Sequence, residues 1–175
     1  MSGHNKWSQI KHKKAKTDGA KSKLYSKYSK LISAEAQKSK GDKNSPSLRA
    51  LIDRAKSEDV TNDVIERAIK KASEPGAALE SIMYEAYGPG GCAMMIEALT
   101  TNKNKAAQEV KHILSGNGFS LATPGSASWA FVREGITWKP STTVDLEDAD
   151  LESLQKLVDA LEESEEVQEV FTNVE

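Results

Sequence analysis

The residues of this chain with the most chemical character stand at its start, in MSGHNKWSQIKHKKAK. Lys6, Lys11, Lys13, Lys14 and Lys16 fall within sixteen positions, Lys21 follows, and His4, Trp7 and His12 are threaded among them. An ammonium group is a compact charge suited to phosphate oxygens, while indole and imidazole rings offer flat faces on which an unpaired base can stack. Ser2 and Gly3 let the backbone come close to a surface. The mixture predicts contact with single-stranded or irregular nucleic acid, because a duplex would engage mainly the lysines. The competing readings are a disordered basic tail, or Trp7 and Ile10 simply docking on the helical bundle.

Other chemistry-bearing residues are sparse. Cys92 would need a histidine, from His112 or the arm, to act as a nucleophile, and its neighbours Met94, Met95 and Ile96 mark it as a packing residue. His4 and His12 lack the i, i+4 spacing of a helical metal site, and no second ligand cluster supports them. The Gly88-Pro89-Gly90-Gly91 run lacks the Gly-Lys-Ser/Thr ending of a phosphate loop and precedes an apolar strand, so it reads as a turn. The carboxylates between Asp145 and Glu169 decorate a helix exterior. The expectation is a protein that is not an enzyme, with no cofactor, metal or small-molecule substrate.

The elements that must carry the basic residues follow from periodicity. Leu24, Tyr28, Leu31, Ile32 and Ala36 recur at helical spacing, and Lys23, Lys27, Lys30 and Lys38 form a stripe beside them. Ser45 and Pro46 open a second helix with Leu48, Leu51, Ile52 and Ala55 inward. Thr61 or Asn62 caps a third, with Ile65, Ala68, Ile69 and Ala72 inward, and Pro75-Gly76 ends it. Arg49, Arg54, Arg67, Lys70 and Lys71 would extend the basic surface, although Asp53, Glu66 and Glu74 sit among them. No helix gathers the Asn, Gln and Arg residues that read base edges.

The back half changes character. Two strands flank the Gly-Pro-Gly-Gly turn, with Tyr84 and Tyr87 on opposite faces. A helix with Ala106, Ala107, Val110, Ile113 and Leu114 inward stops at Gly116-Asn117-Gly118. SASWAFV reads as a strand placing Ala127, Trp129 and Phe131 on one face, and TTVDL as another. An acidic helix (Leu151, Leu154, Leu157, Val158, Leu161) and a closing strand complete an α+β architecture. The expected fold is an N-terminal three-helix basic bundle with an extended arm, residues 1–76, then a ferredoxin-like α+β domain with a mixed or antiparallel sheet, residues 77–175.

Composition sets the limits around this picture. The chain has 175 residues, 38% of them hydrophobic, enough for a real core. No apolar run approaches the ~20 residues of a membrane span, and no apolar segment follows the charged start as in a secretory signal. A single cysteine points to a reducing, cytoplasmic setting. The net charge of −2 hides a division. Residues 1–74 hold 18 basic and 9 acidic side chains, and residues 75–175 hold 6 and 17. Such segregation predicts a polyanion-binding front half and a solvating or partner-facing back half. A protein-assembly or adaptor module working through the acidic half is the alternative of a different class.

SGHNKWSQIKHKKAK, VIERAIKKA, YEAYGPGGCA, TNKNKAAQEVKHIL, GSASWAF and the C-terminal KPSTTVDL…LVDALEESEEVQEVFTNVE resemble, in order, the signature segments of the YebC/PmpR family. That resemblance implies a helical N-terminal domain followed by α+β domains. It also implies a cytoplasmic protein, or one of an organellar matrix, and a role in gene expression. Members carry the label of DNA-binding transcriptional regulators, and others act in translation, associating with the ribosome to help proline-rich stretches through synthesis. The implied partner is DNA, or ribosomal RNA and the ribosome; neither a membrane nor a cofactor is implied. It implies that the arm, Ser2, Gly3, His4, Lys6, Trp7, Lys11, His12, Lys13, Lys14 and Lys16, carries the nucleic-acid contact, which the lysine stripe read above would extend along the first helix through Lys21, Lys23, Lys27 and Lys30. Typical members are longer, with a third domain inserted where this chain has only VREGITW, near 133–139.

Overall fold

A computed structural model describes residues 6, 7, 10, 18–76, 78–135 and 137–175. The chain divides into two compact units, Lys14–Glu80 and Met1–Lys13 joined with Ser81–Glu175. The described arm residues Lys6, Trp7 and Ile10 thus fall in the same compact unit as the sheet.

The helical unit holds α1 (Asp18–Lys38), α2 (Pro46–Ser57) and α3 (Asn62–Lys71). Tyr28, Ile32, Leu48, Leu51, Ala55, Ile65, Ala68 and Ile69 form its core, the residues that helical periodicity selects. The α1 C-terminus turns at Lys40 and Gly41, both at positive φ, and the Gly41 N–H returns to the Ala36 carbonyl at 2.8 Å. Pro46 occupies the first turn of α2, where its missing N–H costs no helical bond. Ser45 precedes it, but its hydroxyl meets the Ser47 hydroxyl at 3.1 Å rather than capping. Thr61 does cap α3, accepting from the Val64 N–H. Two further bonds tie α1 to its neighbours. Tyr28 donates to the Glu58 carboxylate at 2.6 Å, and the buried Ser33 hydroxyl donates to the Ala68 carbonyl at 2.8 Å.

The second unit is built on a three-stranded sheet of β1 (Glu80–Tyr87), β2 (Ala93–Thr100) and β5 (Val167–Thr172), in the order β1-β2-β5. β2 and β5 are antiparallel, with a register shift at Glu97/Ala98. The other elements are α4 (Lys103–Gly116), the hairpin of β3 (Phe131–Glu134) and β4 (Thr137–Pro140), and α5 (Asp148–Glu163). Met94 and Ile96 of β2 join Val110 and Leu114 of α4 and Leu154, Leu157 and Leu161 of α5 in one core. Ala93 and Met95, pointing the other way, join Phe131 and Trp138 of the hairpin and Phe171 of β5 in a second. A strand covered on both faces needs apolar residues at every position rather than every other one, which explains the unbroken AMMI run. The α+β class expected from the sequence holds.

Three local expectations change. The SASW segment is a turn leading into a short 3-10 helix at Ser128–Ala130, and the strand begins only at Phe131. Trp129 therefore leaves the face it was expected to share with Ala127 and Phe131, and is 58% exposed. TTVDL contributes a single parallel bridge, Val144 to Val174, rather than a strand. Trp7 docks, but not on the bundle: at 5% exposure it lies in the α4–α5 core of the C-terminal unit.

Candidate nucleic-acid interface

On α1 the stripe of lysines is present. Lys21 and Lys23 are exposed, and Lys27 and Lys30 are half-buried as they pass the apolar face. Long alkyl stems lying on a core while the ammonium reaches outward produce this intermediate burial. Of the arm, Lys6 is exposed and pairs with Asp148 in the first turn of α5 at 2.5 Å. Trp7 is the correction among the expected site residues. Its ring fills a core and is not offered to a base, because burying an indole outweighs leaving so large an apolar surface in water. Ser2, Gly3, His4, Lys11, His12, Lys13, Lys14 and Lys16 lie outside the described residues.

The remaining cations of the helical unit divide by partner. Lys43 is held by both carboxylate oxygens of Glu66, at 2.9 and 3.0 Å, Arg54 by Glu58 at 3.4 Å and Arg67 by Asp63 at 2.7 Å. Lys21, Arg49, Lys56, Lys70 and Lys71 are exposed and have no such partner among the described residues. A cation without a local carboxylate keeps its full charge for an incoming phosphate. Sequence proximity alone placed Arg49 and Lys70 beside carboxylates that do not in fact neutralise them.

In the C-terminal unit one buried carboxylate organises a surface. Glu85 of β1 accepts from the N–H groups of Gly125 at 2.5 Å, Ala127 at 3.0 Å and Ser128 at 2.6 Å. Burial by itself would push the Glu85 carboxyl up, but these donors together hold it below its ordinary value. They fix the loop that presents Trp129, whose indole N–H donates to the Tyr87 hydroxyl at 2.9 Å, while that hydroxyl donates to the Ser126 carbonyl. Tyr87, Trp129 and Val132 are the exposed large hydrophobic residues among those described. Sequence reading missed this aromatic surface, since Ala127, Trp129 and Phe131 alternate as a strand would.

Cys92 is fully buried, and burial pushes its thiol up to about 11, so it carries no thiolate at neutral pH. Among the described residues no group of histidine, cysteine and carboxylate side chains has metal-holding geometry. No helix among them is long and apolar enough to cross a membrane.

Comparison with known proteins agrees with this organisation. The family model described as "TACO1/YebC protein N-terminal domain" matches residues 5–75. The one described as "TACO1/YebC second and third domain" matches 79–137 and 133–174. A "Probable transcriptional regulatory protein" of Fervidobacterium nodosum is 37% identical over 235 aligned positions, covering 99% of this chain and 93% of that protein. A protein of Thermosipho africanus with the same name is 35% identical over 237, covering 100% and 94%. A crystal structure of the conserved hypothetical protein Aq1575 from Aquifex aeolicus superimposes with a TM-score of 0.82 at 29% identity, covering 98% of this chain and 97% of that one. Both units of the helical and α+β design are accounted for, and the chain belongs to the TACO1/YebC family.

Proposed function

We propose that this protein is a non-enzymatic regulator of gene expression that binds nucleic acid through its helical unit and N-terminal arm. The observation that carries this reading is the set of exposed, carboxylate-free cations on the helical unit, from Lys21 on α1 to Arg49 and Lys56 on α2 and Lys70 and Lys71 on α3. The names of the relatives, which call them transcriptional regulatory proteins, support the same class of partner.

Structured or single-stranded RNA suits this surface better than a specific duplex. The cations come from three helices rather than one, so no single recognition helix fills a major groove. Contact led by phosphates and shape is the mode by which folded RNA is bound. A ribosomal site is the natural form of such a target.

Crosslinking in growing cells, followed by identification of the recovered nucleic acid, tests the reading. Ribosomal RNA supports the RNA form, and chromosomal DNA the transcriptional form. Recovery of protein partners without nucleic acid would support an adaptor role for the acidic half instead. In vitro, a flat salt titration would falsify phosphate gripping, since each neutralised phosphate contributes about 0.7 to 0.9 log unit of affinity per log unit of salt.

A further inference from the structure

The helical unit contains a groove of about 380 Å³ between the α1–α2 loop, α2 and the start of α3. That is the small end of the range for ligand pockets. Half-buried Ile52 gives it a small apolar floor, Ile65, which also borders it, is buried in the helical core, and Arg49, Asp53 and Lys56 stand around it on one side of α2. Positions 49, 53 and 56 are four and three apart, so they share a helix face and could pair with each other. They do not, whereas Arg54–Glu58 and Arg67–Asp63 do pair at the same i, i+4 spacing in the same unit. Neither Arg49, Asp53 nor Lys56 has an ion-pair partner among the described residues. Glu66, the other carboxylate on the rim, is already neutralised by Lys43. The groove therefore offers two open cations, one open carboxylate and the exposed part of Ile52.

We propose that this groove binds one unpaired guanine nucleotide, an assignment that rests on the nucleic-acid reading above and specifies it. The base lies against Ile52, and Arg49 and Lys56 take the phosphate. Asp53 supplies the selectivity. A carboxylate accepts through two adjacent oxygens, and guanine alone presents two adjacent donors, N1–H and the 2-amino group. Adenine and cytosine each set an amino group beside a ring acceptor, and uracil sets one N–H between two carbonyls, so each would leave one oxygen of Asp53 facing a lone pair. Only an unpaired base exposes this edge, in keeping with recognition of loops and bulges.

The test uses the full chain and hairpin RNAs that differ at one loop position. Guanosine, inosine, adenosine and uridine are compared by fluorescence anisotropy. In parallel, GMP is titrated while the Ile52 and Ile65 methyl resonances are followed by NMR. The guanosine loop should bind about tenfold more tightly than the inosine loop, which lacks the 2-amino donor. Asp53→Asn should erase that preference. Arg49→Ala and Lys56→Ala should weaken every loop, and Lys70→Ala, the same charge change outside the groove, should leave the preference intact. Equal affinity for all four loops, or a preference that survives Asp53→Asn, overturns the assignment while leaving nucleic-acid binding in place. Methyl shifts with GMP but no binding of any RNA would uphold the groove as a free-nucleotide site and overturn the nucleic-acid reading. Neither shifts nor RNA binding overturns both.

Discussion

Glu85 shows how one buried side chain can decide the presentation of another. Three N–H groups converge on its carboxylate, and removing it by Glu85→Ala leaves all three without their acceptor, the Ala127 N–H in a buried place. The expected cost is on the order of 3 kcal/mol, read as a lower melting temperature. The pH dependence has a definite sign. A carboxyl held below its unfolded value of about 4.5 contributes stability that is complete above that pH. It is lost as pH falls through the lower folded value, and the Glu85→Gln protein should lack that part of the acid transition. The tryptophans separate in the same way. Trp7→Ala should cost about 3 to 5 kcal/mol because it opens a cavity, whereas Trp129→Ala should leave the melting temperature nearly unchanged. Cys92, fully buried and with its thiol raised, should resist thiol reagents at pH 7 until the protein is unfolded.

Among the elements, the helices were the most legible. Their apolar residues recur at 3.6, and their ends carry Pro46, Thr61 and Pro75, whose effects on the backbone are local. Thr61→Ala should accordingly cost about 1 kcal/mol, measured by denaturant unfolding, since it leaves the Val64 N–H without its acceptor. Segments around the sheet were less legible where two periods coincide. In a 3-10 turn residues three apart share a face, so Ala127 and Ala130 are both buried while Trp129 points out. From sequence, the same letters satisfy the period of 2 as well. The candidate interface was half legible for a related reason. The α1 stripe follows from spacing, and replacing Lys21, Lys23, Lys27 and Lys30 by alanine should weaken all nucleic acids alike and flatten the salt slope. Which of the later cations are neutralised depends on rotamers that no spacing rule contains, as the contrast between Arg49 and Arg54 shows.

For the whole molecule, the charge division along the chain softens once it is assigned to compact units. Lys14–Glu80 carries 15 basic and 10 acidic residues, and the other unit, arm included, carries 9 and 16. Part of the basic arm is thus tethered to the acidic unit by Trp7 and by the Lys6–Asp148 pair. Deletion of residues 1–16 is consequently not a clean test of nucleic-acid binding, because it also removes a core residue. The sharper comparison keeps Trp7 and replaces Lys11, Lys13 and Lys14 by alanine. Affinity should fall without a change in melting temperature.

The placement of Trp7 also imposes an order of events during synthesis. Its cluster mates run from Ala86 to Val174. The indole is made before every other member of its cluster, and its pocket is complete only once Val174 has been added. Until then the nascent protein carries an unsheltered hydrophobic anchor beside a dense row of lysines. Final docking must close the long loop between Trp7 and Ala86, a step whose entropic cost grows only slowly with length but which local contacts cannot assist. Until that closure the Trp7 ring has no shelter from its cluster, and folding withdraws it from contact with anything outside.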